Sequence, residues 1–213
     1  SALNPGSVSL SNVVSGDQVQ VGSVTVNTAG NLSGAGKLKA GSYTGIESVG
    51  SALTGADAGN YSFNGLTGDY TVSQLALTGV AIASGSSVYG SVVTPGAVSF
   101  TNVVAGDVVN ASASLVGTSL STGGKVNAGA YAQQVSTING ADSGNYSLSS
   151  YTTPSNTYTV SQLALLGTLS NGSSVYGSTL NPGSVTLNNV VSGDQVQVGS
   201  VTVNTAGNLS GAG

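Results

Sequence analysis

The 213-residue chain contains no cysteine, methionine, tryptophan, histidine or arginine. Without cysteine there are no disulfides. That suits a chain exported unfolded, which crosslinks would hinder, and equally a chain whose core needs no staple. Without histidine, cysteine or arginine, general acid–base or nucleophilic chemistry would fall on seven scattered acids and three lysines, so the chain reads as non-catalytic. The net charge is −4. Clustered cations that neutralise nucleic-acid phosphates or hold an anionic membrane are missing, so neither partner is expected. No apolar run approaches the ~18–20 residues of a membrane-spanning helix, so no membrane insertion is expected either.

What is present is small and β-branched. Hydrophobic residues make up 39% of the chain and charged residues only 5%. Disordered chains combine low hydrophobicity with many charges. Here valine and threonine abound and mean hydropathy is slightly positive at +0.23, which predicts a folded chain surfaced by Ser, Thr, Asn and Gly.

The dominant feature is internal repetition. Asn4 to Gly36 reads NPGSVSLSNVVSGDQVQVGSVTVNTAGNLSGAG, and Asn181 to Gly213 repeats it with two changes, Ser9/Thr186 and Ser11/Asn188. A diverged copy lies between. Pro-Gly recurs at 5–6, 95–96 and 182–183, Gly-Asp at 16–17, 106–107 and 193–194. GADAGNYS at 55–62 returns as GADSGNYS at 140–147, TVSQLAL at 71–77 returns at 159–165, and GSSVYGS at 85–91 returns at 172–178. The unit is about 88 residues, giving repeats over 1–78 and 79–166 and a partial third over 167–213 that lacks the GAD and TVSQ segments. Length differences fall in Gly/Ser/Pro-rich stretches, as in Tyr151–Asn156, which is how surface loops vary on a fixed scaffold.

Helical periodicity is missing and glycine is frequent, whereas period-two alternation is common. Val8 with Leu10, Val19 with Val21 and Val24 with Val26 are alternating pairs, and the phase break at Gly22-Ser23 suggests a bulge. Strands are predicted at 7–14, 17–27, 36–48, 60–64, 68–77 and 80–84, separated by turn signals such as Pro5-Gly6, Gly16-Asp17 and Asn64-Gly65. Short strands so punctuated predict an all-β chain of tandem Ig-like β-sandwich modules. A β-solenoid is the alternative, although its coils would repeat every ~20–30 residues.

Four motifs together resemble the YDG and MBG ("mostly bacterial Ig-like") repeats of giant secreted bacterial proteins. They are VYGS at 88–91 and 175–178, Val-Val-x-Gly-Asp at 103–107 and 190–194, Gly-x-Asp-x-Gly-Asn-Tyr at 55–61 and 140–146, and Tyr-Thr-Val-Ser at 70–73 and 158–161. The resemblance implies a stalk region of a filamentous-haemagglutinin-like adhesin, secreted and displayed at the bacterial cell surface.

Candidate site residues come from the same motifs. Asp57 with Asn60, and Asp142 with Asn145, offer oxygens to Ca²⁺, yet Ca²⁺ wants six to eight. A local Asx turn ahead of a strand is the favoured alternative, and no cofactor is otherwise expected. Asp17, Asp107 and Asp194 follow glycine in turns and take the same reading, while Asp69 aligns with Thr157 and looks dispensable. Tyr61 and Tyr146 are expected to pack in each core with the hydroxyl at the rim, and Tyr89 and Tyr176 to sit at repeat junctions. Lys39 and Lys125 would form isopeptide bonds only if buried beside an acid; exposed lysines discouraging edge pairing are favoured. Asn-x-Ser sequons stand at Asn31, Asn60, Asn110, Asn145, Asn171 and Asn208.

The expected function is a structural adhesin stalk, whose partners are neighbouring repeats of the same chain. A self-assembling extracellular biofilm fibre of many copies, and a module binding glycan or exopolysaccharide, are the alternatives.

Overall fold

The computed structural model describes residues 2–209. Residues 1 and 210–213 lie outside it, and with them the extreme ends of the first and third repeats and the serine of the Asn208 sequon. The chain is all-β. Among the described residues there is no α-helix, only two single 3₁₀ turns, Ala58–Asn60 and Ser143–Asn145. The strands form small sheets of two or three strands each. Also among the described residues, no helix is long and apolar enough to cross a membrane.

Compactness divides the chain into two units, each discontinuous in sequence. The first comprises Ser1–Ala81, Val98–Ser112 and Val135–Tyr151. It therefore joins the whole of the first repeat to three stretches of the second, residues 79–81, 98–112 and 135–151. Its principal sheet runs Thr25–Val26, Gly41–Val49, Leu66–Val72, all antiparallel. The long central strand breaks register between Tyr43 and Glu47, where Gly45 takes φ +69°. That bulge is held by Asp69, which accepts the Gly45 N–H at 2.9 Å, so Asp69 has a bonded role where the sequence suggested none. A short parallel pairing joins Tyr146–Ser147 to Leu75–Ala76. Leu38, Val49, Leu77, Val135 and Tyr146 are the buried apolar side chains of this unit, Val135 most completely at 1% exposed.

The second unit comprises Ile82–Ala97, Ala113–Gln134 and Thr152–Gly213. Tyr158–Ser161 lies between Gly129–Tyr131, antiparallel, and Gly85–Val88, parallel. Tyr131, Tyr158 and Val160 form the core, with Tyr89, Val93, Leu115 and Val126 against it. Gln133 is fully buried among these strands and fully bonded. Its Oε1 accepts the Gly96 N–H at 2.7 Å, and its Nε2 donates to the Ala83 carbonyl and to Thr157 Oγ1, both at 2.9 Å. A buried amide with all its partners costs little; one left unpaired would cost several times more.

Strand boundaries depart from expectation in identifiable places. Residues 7–14 form no strand. The N–H groups of Gly6 and Val14, at the ends of that run, go to side chains of Glu47 and Tyr61 rather than to a neighbouring strand. Residues 17–27 carry only Gln20–Val21 and Thr25–Val26, divided at the Gly22-Ser23 phase break. The 60–64 strand is replaced by the 3₁₀ turn and an unpaired extended run, and 68–77 divides into Leu66–Val72 and Leu75–Ala76. The 36–48 strand begins later, at Gly41, because residues 33–37 close a tight turn: Ser33 N–H bonds Lys37 O and Gly36 N–H bonds Ser33 O.

Candidate functional site

Two side-chain clasps recur, each built in successive repeats from equivalent residues. The first surrounds the Gly-Asp turn. In Val14–Asp17, Val104–Asp107 and Val191–Asp194 the aspartate N–H bonds the valine carbonyl at 3.0 Å. The glycine takes φ +100°, +100° and +90°, a conformation that strains any residue with a Cβ. This much is the expected turn chemistry. The carboxylate, however, does not close a local Asx turn. Asp17 accepts the hydroxyl of Tyr61 at 2.6 Å, and Asp107 that of Tyr146 at 2.6 Å. The same hydroxyls accept the N–H of Val14 and Val104. Each tyrosine thus ties both ends of the turn to a segment about forty residues downstream.

The motif aspartates act in parallel. Asp57 caps no helix. Its Oδ2 accepts the Gln18 N–H at 2.9 Å, and Asp142 Oδ2 accepts the Val108 N–H at 2.9 Å. The residue after each Gly-Asp is therefore pinned by the aspartate of the Gly-x-Asp-x-Gly-Asn-Tyr motif. The groups facing these carboxylates are N–H donors, as they are at Asn145, whose Oδ1 accepts the Ala40 N–H at 2.9 Å. Among the described residues no three acidic side chains gather as a metal cluster.

The third aspartate, Asp194, is followed by no such motif in this sequence and takes its hydroxyl from Tyr89. Tyr89 is thereby placed, whereas Tyr176, its counterpart one repeat on, is 92% exposed.

The second clasp surrounds Pro-Gly and was not foreseen in the sequence. Tyr70 Oη accepts the Asn4 N–H at 3.0 Å, and Tyr158 Oη accepts the Thr94 N–H at 3.1 Å. Glu47 accepts the Gly6 N–H and Gln133 the Gly96 N–H. Glu47 and Gln133 do not fall at one sequence offset with the tyrosines, because loop lengths differ between them. The signal that was legible is the pair Tyr70 and Tyr158 itself, recurring in Tyr-Thr-Val-Ser.

In the docked copies a hairpin tip from an earlier repeat enters the first clasp. Within the first unit, Ala35 N–H donates to Asp107 Oδ1 at 2.8 Å, and Gly34 N–H to Asp142 Oδ1 at 3.0 Å. Within the second unit, Gly123 N–H donates to Asp194 Oδ1 at 2.8 Å. Ser33 and Ser121, at matching places in the two tips, bond the same carboxylates.

The electrostatics follow from these bonds. Burial pushes the Asp107 carboxyl up, but donors from Tyr146, Ser33 and Ala35 hold it below the ordinary aspartate value. Tyr89, then Ser121, hold Asp194 down against its burial. The hydroxyl of Tyr61 is raised by its bond to Asp17, that of Tyr89 by Asp194, and that of Tyr146 by burial and by Asp107. A phenol that donates to a carboxylate is hard to ionise, and the carboxylate it serves is hard to protonate.

Lys39 and Lys125 are exposed, away from the apolar surroundings that make a lysine nucleophilic. No family model, curated protein or solved structure matches the chain.

Proposed function

We propose that the chain is a non-catalytic structural repeat array, part of the stalk of a secreted bacterial surface adhesin, in which tandem β-sandwich modules project a binding tip from the cell. One observation carries the reading. The tip of one repeat's hairpin is bonded into the carboxylate clasp of the next, at Ala35 with Asp107 and again at Gly123 with Asp194. A repeat tied to its successor by bonds rebuilt at each step suits an element that transmits tension and whose length grows with copy number. The titratable residues support it as well: the carboxylates serve backbone N–H groups and tyrosine hydroxyls, as structural ties do. The motif resemblance to mostly bacterial Ig-like repeats supplies the adhesin and the extracellular location.

Cryo-electron tomography of the parent protein on its own cells tests the proposal. Single thin threads whose length follows repeat number are expected. Laterally bundled or continuous cell-to-cell fibres would replace the stalk by a matrix role.

A further inference from the structure

The hairpin of the first repeat and the clasp of the second are built differently. The hairpin at 31–40 closes on itself. Leu32 faces Leu38, Ser33 N–H donates to the Lys37 carbonyl at 2.8 Å, and Gly36 N–H to that of Ser33 at 2.9 Å. Lys39 N–H donates to the Asn31 carbonyl at 2.9 Å. The hairpin runs directly into Gly41–Val49, the central strand of a three-stranded sheet drawn wholly from the first repeat. Three strands with an apolar face are enough for independent stability. The clasp closes on distant residues instead. Its inner bonds, Val108 with Asp142 and Asp107 with Tyr146, span 34 and 39 residues. Among the described residues Tyr146–Ser147 has one strand partner, Leu75–Ala76 of the first repeat, and Leu77 N–H adds a bond to the Ser147 carbonyl at 2.8 Å. Closing so long a loop costs more chain entropy than closing a hairpin, and needs more contacts to offset it.

The first repeat supplies those contacts. The N–H groups of Gly34, Ala35 and Ala40 donate to Asp142, Asp107 and Asn145, and Gln74 Nε2 donates to the Gly144 carbonyl at 3.0 Å. The bonds fall where burial is deepest, since Asp142 and Tyr146 are 5% and 3% exposed. A carboxylate so buried needs its donors. The tip depends less on its acceptors: Gly34 is exposed and Ala35 and Ala40 are half-buried, so water can serve their N–H groups when the tip is undocked. We infer that the hairpin of the first repeat is a template on which the clasp of the second folds, and that the dependence runs one way. The hairpin and its sheet form without the clasp; the clasp does not form without the hairpin. Such a device keeps neighbours in register. Repeats that share GNYS and TVSQLAL can mispair within one chain, and a hairpin made of local contacts forms fast enough to present its tip to the repeat that follows. The dependence holds whether the array serves as a stalk or a fibre.

Amide hydrogen exchange of the ¹⁵N-labelled full chain tests both directions. Gly34→Val drives the tip out of the clasp. A Cβ there would stand 2.6 Å from the Gly106 carbonyl oxygen and 2.9 Å from Asp142 Oδ2, and Gly34 has no positive φ for a valine to strain. Exchange at Val104 and Val108, whose N–H groups the clasp holds, should quicken about tenfold or more, while Ser33, Gly36, Lys39 and the Gly41–Val49 strand stay as protected as before. Tyr146→Ala opens the clasp from its own side and should leave the hairpin amides protected. Val104 and Val108 remaining protected in Gly34→Val would overturn the inference, as would loss of protection at the hairpin amides in either variant. Loss extending through Gly41–Val49 would overturn it too, because hairpin, sheet and clasp would then unfold as one body.

Discussion

At the residue scale, the scarcity of charge acquires a meaning. Each of the seven carboxylates accepts a backbone N–H or a tyrosine hydroxyl: Glu47 from Gly6, Asp69 from Gly45, Asp57 from Gln18, and Asp17, Asp107, Asp142 and Asp194 within the Gly-Asp clasps. Tyrosine is the dominant aromatic for a related reason, with nine against two phenylalanines. Tyr61, Tyr70, Tyr146 and Tyr158 each place a ring in packing and a hydroxyl on a turn. Tyr146→Phe keeps the ring but leaves Asp107 Oδ2 and the Val104 N–H without their partner. An unpaired group of that kind costs about 1–3 kcal/mol. Urea unfolding should therefore show Tyr146→Phe destabilised within that range, and more than Tyr61→Phe, whose half-buried site lets water substitute. Equal, negligible losses in both would mean that the hydroxyl bonds contribute nothing net.

At the element scale, the chain is stitched by turns more than by sheets, and this decides what was legible in the sequence. Glycine, aspartate and tyrosine recur because turns and hydroxyl contacts need those residue types, so the Val-x-Gly-Asp turns and the importance of Tyr61 and Tyr146 could be read directly. The partnership between them could not. Tyr61 and Asp17 are 44 residues apart while Tyr146 and Asp107 are 39 apart, so no fixed spacing betrays the bond; only the joint recurrence of both motifs across a length change hints at it. Residues 7–14 alternate like a strand yet stay unpaired, since alternation reports a half-buried extended chain and not a hydrogen-bonded one. The hairpin tip at 33–36 carries no side-chain signature in the sequence because it works through backbone N–H groups. Its sensitivity is steric. Gly34→Ala should lower the thermal midpoint by several degrees, as overpacking against backbone costs ~1–3 kcal/mol, whereas Gly30→Ala tests only the strain of a positive φ, having open space around it. If the two variants lose the same amount, the close approach of Gly34 to Gly106 carries no energy of its own.

At the scale of the whole molecule, the clasps set a pH window. A carboxylate whose folded pKa is lowered contributes stability that is present above its unfolded value, ~4, and lost as pH falls through the folded value. Asp107 and Asp194 are of this kind. A tyrosine whose folded pKa is raised contributes stability present below ~10 and lost as pH rises through the folded value. Tyr61, Tyr89 and Tyr146 are of this kind. Histidine and cysteine are absent from the sequence, so no side chain of ordinary pKa titrates between these limits. Thermal unfolding followed by circular dichroism should give a midpoint flat from about pH 5 to pH 9 and falling on both sides. Because the carboxylates are held by dipoles and hydroxyls, the plateau should also survive molar salt, which weakens exposed pairs of full charges. A midpoint that slopes steadily across neutral pH, or collapses in salt, would show that long-range charge repulsion and not the clasps governs the fold. A plateau bounded by the two residue types would tie the pH tolerance of the fold to the tyrosine–aspartate bonds of the clasps that receive the hairpin tips of preceding repeats.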